Sequence, residues 1–179
     1  NPDLLDQTFG LQPGMQVADF GAGSGFFTIS MARLVGESGR VTALDVLEDA
    51  LEAILAKAKG AGLNNVSTVR CNLETPGSSD LGGGSQDFVL IKNMLFQSPK
   101  QGEIISEAAR LLKAGGRLLV IDWKKGASTT PGQNGGLGPP EELRADEQAV
   151  EQMAATAGLQ LERNVDPDGF HFGRIFRKL

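Results

Sequence analysis

Short apolar runs alternate along this chain with longer segments whose apolar residues recur every three or four positions. The runs read as buried strands, the longer segments as helices packed through one face. Asn1-Pro2-Asp3 has the form of a helix start, with Asn as cap, Pro at the first helical position and an acid in the first turn. Leu4, Leu5 and Phe9 supply its stripe and Gly10 ends it. After the Pro13-Gly14 turn a strand is expected over Gln16 to Phe20, then a helix over Ser24 to Val35. The second strand is Arg40 to Asp45. The helix after it, Glu48 to Lys59, carries Leu51, Ile54, Leu55 and Ala58 at helical spacing and is closed by Gly60 and Gly62. Val66 to Cys71 is a third strand, interrupted by Ser67, Thr68 and Arg70.

Residues 75–85 hold Pro, Ser, Asp and several Gly and read as a loop with at most one helical turn. Asp87 to Lys92 is a continuous apolar run and therefore a central strand. Ser98, Pro99 and Gln101 form a capping box for the next helix. Its core face is Ile104, Ile105, Ala108, Leu111 and Leu112, and Ala114-Gly115-Gly116 ends it. A fifth strand follows, Arg117 to Trp123. Residues 124–140 are rich in Gly and Pro and form one long loop, a length that is usually functional or mobile. A last helix, Asp146 to Ala157, precedes strands at Leu159 to Val165 and Phe170 to Arg177. The Asp166-Pro167-Asp168-Gly169 turn between these strands is so short that they must be antiparallel. Strand and helix thus alternate five times, with a partial third helix, before a terminal hairpin. That predicts an α/β, doubly wound parallel sheet in one domain spanning 1–179.

Composition narrows the function classes. A net charge of −5 disfavours a nucleic-acid footprint. Cys71 is the only cysteine, so there is no internal disulfide and no multi-cysteine metal site, and no metal is expected. There is neither an apolar run of about eighteen residues nor a signal peptide. The expectation is a cytoplasmic protein with no membrane insertion. The first residue is Asn1, not Met, which leaves room upstream for further residues, a substrate-covering segment among them.

Candidate chemistry centres on Val17 to Phe26, a buried strand leading through Gly21, Gly23 and Gly25 into a helix. Glycines allow a sharp turn and close approach of backbone to a ligand, and a helix start offers unpaired N–H groups. Two nucleotide-type cofactors use such a turn. The dinucleotide fingerprint G-x-G-x-x-G/A requires a small residue where Phe26 stands. Asp45 ends the second strand, where a carboxylate can accept from both ribose hydroxyls. Asn72, after the third strand, can bond an adenine edge. Lys92-Asn93-Met94 ends the fourth strand. All lie at carboxyl ends of strands, where open α/β sheets bind ligands.

Asp19-Phe20-Gly21-Ala22-Gly23-Ser24-Gly25 resembles motif I of the class I S-adenosylmethionine-dependent methyltransferases. The terminal hairpin resembles that fold's seventh strand, and Leu111 to Asp122 its segment into strand five. Asp122-Trp123-Lys124-Lys125, Gly138-Pro139-Pro140 and Phe170 to Lys178 resemble the small-molecule branch, which includes quinone-pathway ("type 11") C-methyltransferases. The resemblance implies a seven-stranded Rossmann-like methyltransferase sheet of order 3-2-1-4-5-7-6 with strand 7 antiparallel. It implies S-adenosyl-L-methionine as cofactor and a small-molecule acceptor as partner. The cofactor-binding set becomes Asp19, Gly21, Ala22, Gly23, Gly25, Phe26, Asp45, Val46, Cys71, Asn72, Leu73, Lys92 and Asn93. Asn72 stands where the family more often has Asp.

Each residue has a plainer reading. Asp19 positions the methionine amino group or is satisfied by the glycine-turn amides. Asp45 binds ribose or caps the helix after it. Trp123 lines the acceptor pocket or packs in the core, and Lys124 and Lys125 open a solvated loop. His171, the only histidine, is the catalytic candidate as a general base near Asp122 or Trp123, or else a hairpin residue bonded to backbone. Cys71 reads as a small buried residue. Arsenite-type methylation, which relies on several cysteines, is disfavoured.

The expected chemistry is in-line attack on an activated sulfonium methyl. Positioning alone can supply about 7–11 kcal/mol of that barrier, so no acid–base pair is required. The acceptor is expected between Asn93 to Phe96, the 124–140 loop and whatever precedes Asn1, with the loop as a lid. Asn93-Met94-Leu95-Phe96 lacks the Pro-Pro-aromatic motif of enzymes that methylate exocyclic amines. Two readings compete: a non-catalytic S-adenosylmethionine- or S-adenosylhomocysteine-binding regulatory module, and a nicotinamide-dependent dehydrogenase. The dehydrogenase lacks the small residue at 26 and leaves the terminal hairpin unexplained.

Overall fold

The structure of the protein is a computed structural model, and it describes residues 9–126 and 138–179. The strands are β1 (Gln16–Phe20), β2 (Arg40–Asp45), β3 (Val66–Arg70), β4 (Gln86–Lys92), β5 (Leu112–Trp123), β6 (Leu159–Val165) and β7 (His171–Lys178). The helices are α1 (Phe26–Val35), α2 (Glu48–Gly60), α3 (Gln101–Leu111) and α4 (Glu147–Thr156), with 3₁₀ turns at Leu95–Gln97 and Glu141–Leu143. The strands form one sheet of order β3-β2-β1-β4-β5-β7-β6, in which β7 is antiparallel to both neighbours. The expected order and the antiparallel hairpin are both observed.

Strand alternation sends successive residues to opposite faces. Val17, Phe88, Leu90, Leu119, Ile121 and Ile175 meet Met31, Ala32 and Val35 of α1 on one face. On that same face Ile54 and Leu51 of α2 pack against Ala43. Ala18, Phe20, Val89, Ile91, Val120, Phe172 and Phe176 meet the apolar sides of α3 and α4 on the other. β3 lies at the sheet edge and is only half-buried, which accounts for its polar interruptions.

Three boundaries differ from the sequence reading by two residues or more, the others by at most one. α1 starts at Phe26, not Ser24, because Gly25 in the left-handed region is its cap residue. The capping box at Ser98 does not form. Ser98 is extended, its hydroxyl accepts from the Lys100 amide, and Gln101 donates to the Leu95 carbonyl, so α3 starts at Gln101. β5 begins at Leu112, directly after α3, and takes in the Ala114-Gly115-Gly116 segment read as a helix stop. Its pairing with β4 is irregular between Gln86 and Phe88. The helix expected before Gly10 lies outside the described residues apart from Phe9, which is buried. The centre of the 124–140 loop also lies outside them.

One buried charge ties a loop to the core. The Glu107 carboxylate on α3 is fully buried and accepts from the Gly77 amide (2.8 Å), the Ser79 hydroxyl (2.7 Å) and Arg110 Nε and Nη2 (2.8 and 2.7 Å). These donors hold its carboxyl below the usual range against the opposing effect of burial.

Candidate functional site

At the carboxyl ends of β1 to β4 lies a cleft of about 340 Å³. The glycine turn forms one wall. Gly21 and Gly23 both have positive φ, +65° and +50°, and line the cleft. The Gly21 and Ala22 amides donate back to the Leu44 carbonyl, which pins the turn to β2. Asp45 sits directly against it in the cleft wall. One carboxylate oxygen accepts from the Gly23 amide at 2.9 Å, the other from the Leu47 amide at 3.0 Å. Asp45 therefore braces the turn and the start of α2 together.

Val46, Cys71, Asn72, Leu73 and Asn93 complete the predicted residues in the cleft wall. Asn72 Oδ1 accepts from the Glu74 amide at 3.0 Å, a local turn at the cleft floor. Asn93 has φ +52°, and its Oδ1 is buried with no hydrogen-bond partner among the described residues. Met94, named with Lys92 and Asn93 at the end of the fourth strand, lines the cleft too; Leu47, Glu74, Gln97 and Ser98 also line it and were not foreseen. Ser98 donates to Glu74 at 2.7 Å and Gln97 to the Asn93 carbonyl at 2.9 Å.

The wall that carries Met94 and Gln97 hangs on Asp122. This fully buried carboxylate accepts from the Leu95 amide at 2.9 Å and its neighbouring Trp123 amide at 2.8 Å. Burial pushes its pKa upward, and those amides pull it back. Asp122→Ala leaves the Leu95 amide buried without its acceptor, at a cost of about 1–3 kcal/mol. The expected outcome is a lower urea midpoint with an unchanged m-value; equal midpoints would mean that the turn holds without Asp122.

The other predicted residues lie outside the cleft wall. Ala22, Gly25 and Phe26 belong to the turn and the start of α1. Phe26 is exposed and packs edge-on to Phe27. Asp19 is buried, and its partner is the Thr28 hydroxyl of α1 at 2.6 Å, not the glycine-turn amides. Burial raises its pKa to about 7. Lys92 points to the same face as Asp19, with its ammonium 5.1 Å from the centre of the Phe27 ring. Burial lowers the Lys92 pKa against the combined pull of Asp168, Asp122 and Asp19.

His171 pairs in register with Trp123 across β5 and β7, and their rings pack at a 40° tilt with the centroids 4.2 Å apart. Its Nδ1 lies 2.9 Å from both oxygens of Asp168, so its ring partner is a carboxylate and not backbone. Among the described residues Lys124 and Lys125 make long ion pairs, with Asp166 at 3.9 Å and Asp146 at 3.7 Å. Among the described residues no group of three or more His, Cys, Asp or Glu could hold a metal ion. A larger concavity of about 540 Å³ lies at the opposite edge, where α1 ends and β2 and β3 begin. None of the predicted site residues lines it.

The methyltransferase domain family matches residues 11–177. Ubiquinone/menaquinone biosynthesis C-methyltransferase UbiE of Shewanella pealeana is 32% identical over 120 residues, which cover 66% of this chain and 47% of that protein. An arsenite methyltransferase of Aquipseudomonas alcaligenes is 36% identical over 125 residues, 68% of this chain and 34% of that protein. The chain thus spans about half the length of the first relative or less of the second. A crystal structure of a SAM dependent methyltransferase from Aquifex aeolicus superposes with a TM-score of 0.85 at 27% identity, covering 100% of this chain and 90% of that one. The chain belongs to the methyltransferase-domain family, whose methyl donor is S-adenosylmethionine.

Proposed function

We propose that this chain transfers a methyl group from S-adenosylmethionine to a small-molecule acceptor, as one domain in a cytoplasmic setting. The observation that carries the reading is the cleft itself. A backbone cradle at Gly21 and Gly23 faces the Asp45 carboxylate, and a buried, unpartnered acceptor, Asn93 Oδ1, lies in its wall. Such an acceptor asks for a donor, and an ammonium group meets that need. In this reading Asp45 accepts from the ribose hydroxyls and Asn72 from the adenine amino group. Asn93 and the glycine turn hold the methionine end, with Asp19 beneath.

When bound, S-adenosylmethionine supplies a methyl already activated by its sulfonium. The residues of this chain orient and shield it. Val46, Leu47 and Met94 present apolar surface along the cleft, and the turn at Leu95–Gln97 closes it toward the acceptor side. His171 is the candidate base for an acceptor that must lose a proton. Cys71 has no part in the chemistry: burial, with the Glu107 charge adding, pushes its thiol up to about 11, so it stays protonated at neutral pH. An acceptor held through protein thiolates is not part of this reading. A single, free cysteine also fits a reducing compartment.

Parallel thermal-shift titrations with S-adenosylmethionine, S-adenosylhomocysteine and NAD test the proposal. Either adenosyl ligand at about a hundred times its Kd is expected to add about 2.7 kcal/mol. A shift with NAD alone would overturn the reading, and turnover to S-adenosylhomocysteine with a metabolite pool separates catalysis from mere binding. Asp45→Ala is expected to weaken cofactor binding by roughly ten- to a hundred-fold, the equivalent of one charged hydrogen bond of about 1.5–3 kcal/mol. Calorimetry showing unchanged affinity would remove Asp45 from the site.

A further inference from the structure

Strand alternation gathers a second group of side chains on the α1 face, beside the cleft. Lys92 on β4, Trp123 on β5 and His171 on β7 sit at the carboxyl edge of adjacent strands, with Asp168 in the turn before β7. Two contacts hold the His171 ring. The Trp123 ring packs against it, tilted by 40° with the centroids 4.2 Å apart, and Gly138 packs against the indole so closely that a Cβ there would lie 2.6 Å from it. At the ring edge, Asp168 receives Nδ1 at 2.9 Å. The same carboxylate accepts from the Phe170 and His171 amides at 2.8 Å, which fixes it in place.

An ionised carboxylate can only accept, so Nδ1 must carry the hydrogen. The lone pair of the neutral imidazole then resides on Nε2. That atom is buried and has no hydrogen-bond partner among the described residues. A buried acceptor left without a donor is costly, and native proteins keep few of them.

We propose that Asp168 is a positioning residue that sets His171 Nε2 as the proton acceptor for an O–H group of the methyl acceptor. The inference rests on the methyl-transfer reading and deepens it, since it names the substrate class as a hydroxyl-bearing molecule. The O–H proton moves to Nε2. The oxygen pair so released drives formation of the new bond to the methyl carbon, while the carbon–sulfur pair leaves with sulfur. The imidazolium returns its proton to solvent. Burial raises the Asp168 carboxyl, but the His171 ring and the Phe170 and His171 amides more than offset this and hold it below the usual range, in its accepting form. The other charged groups acting here are Asp122 from β5 and Lys92 from β4, the latter under the pull of Asp168.

His171 is the only histidine, so its ring nitrogens can be followed by nuclear magnetic resonance without assignment ambiguity. The experiment uses uniformly ¹⁵N-labelled protein saturated with S-adenosylhomocysteine, with phenol and anisole as probes. The wild-type protein is expected to hold the Nδ1–H tautomer, and Asp168→Asn, which keeps an acceptor, to hold it too. Asp168→Ala is expected to swing the ratio roughly tenfold or more toward Nε2–H, the equilibrium equivalent of losing a charge-assisted hydrogen bond. Phenol is expected to shift the Nε2 resonance saturably, and anisole, which has no O–H, to leave it in place. Nε2–H in the wild type, an unmoved ratio in Asp168→Ala, or equal responses to the two probes would each overturn the inference. Calorimetry with S-adenosylhomocysteine is run on the same samples. If it shows no binding, the methyl-transfer reading fails while the tautomer result stands by itself.

Discussion

Asp19→Asn is expected to stabilise the ligand-free protein at pH 8 and to leave it nearly unchanged at pH 4. Asp19 ends β1 in the interior, with the Thr28 hydroxyl on its carboxylate. Burial raises its pKa from 3.8 to about 7; Thr28 and Lys92 oppose the rise and Asp45 adds to it. In the unfolded chain this carboxyl loses its proton near pH 3.8. Between there and about pH 7 the folded protein binds more protons at this site than the unfolded chain does, so stability falls as pH rises. The contribution is complete below the unfolded pKa and gone above the folded one. A shift of this size corresponds to about 4 kcal/mol at most. Asn has no proton to lose and keeps an oxygen for the Thr28 hydroxyl. Urea denaturation at stepped pH should therefore show the two proteins diverging by up to about 1.4 kcal/mol per pH unit across that window. Curves that stay parallel from pH 4 to pH 8 would place the titration elsewhere. On the methyl-transfer reading the cofactor works in the opposite direction. A cation above Asp19 favours its ionised form, so the wild-type affinity should rise with pH up to about 7, and the Asp19→Asn affinity should not.

That prediction depends on a contact the primary structure hides. Asp19 was readable as a candidate site residue from its place before the glycines, but its partner, Thr28, lies in the first turn of α1 and points back at the strand. The central strands were legible because they are apolar runs, and the sheet order because the terminal hairpin resembled a known seventh strand. Lys92 and Asn93 were grouped together as neighbours at one strand end. Alternation then separates them: Lys92 goes to the α1 face with Asp19, and Asn93 turns into the cleft. Glu107 escaped notice, and Asp122 was named only in a family-like segment and as a neighbour of His171, because a carboxylate in an apolar stripe gives no sign of what it accepts from. Their donors, the Gly77 and Ser79 pair and the Leu95 amide, are 27 or more residues away. Asp168 was visible only as a turn former, and its bond to the His171 ring needs the hairpin to close first. The capping box at Ser98 misled for the converse reason. Its local pattern was sound, but Glu74 claims the Ser98 hydroxyl and Leu95 claims Gln101.

Gly25→Ala should be far more damaging than Gly23→Ala. The three motif glycines look alike in sequence, yet their surroundings differ. A Cβ on Gly23 would meet nothing nearer than the Gly21 carbonyl at 3.8 Å, so only its left-handed backbone resists substitution. Gly25 has φ +75° as well, and its Cβ would lie 2.5 Å from Ile54 Cγ1 on α2. Gly25 therefore lets α1 and α2 approach, in addition to turning the chain. The backbone strain costs about 1–2 kcal/mol, and forcing a methyl into a packed contact costs about 1–3 kcal/mol more. Gly25→Ala should lose about 2–5 kcal/mol in urea denaturation, and Gly23→Ala only the backbone part. The two contributions to Gly25→Ala can be separated by a second substitution. Ile54→Ala removes the atoms at 2.5 and 3.3 Å and leaves Cβ at 3.4 Å, an ordinary contact. Alone it opens a cavity and costs about 2–5 kcal/mol. Combined with Gly25→Ala, the new methyl takes up part of that space, so the pair should cost less than the sum by about 1–3 kcal/mol. Strict additivity would assign the whole effect at Gly25 to its backbone conformation and would mean that α2 moves aside freely.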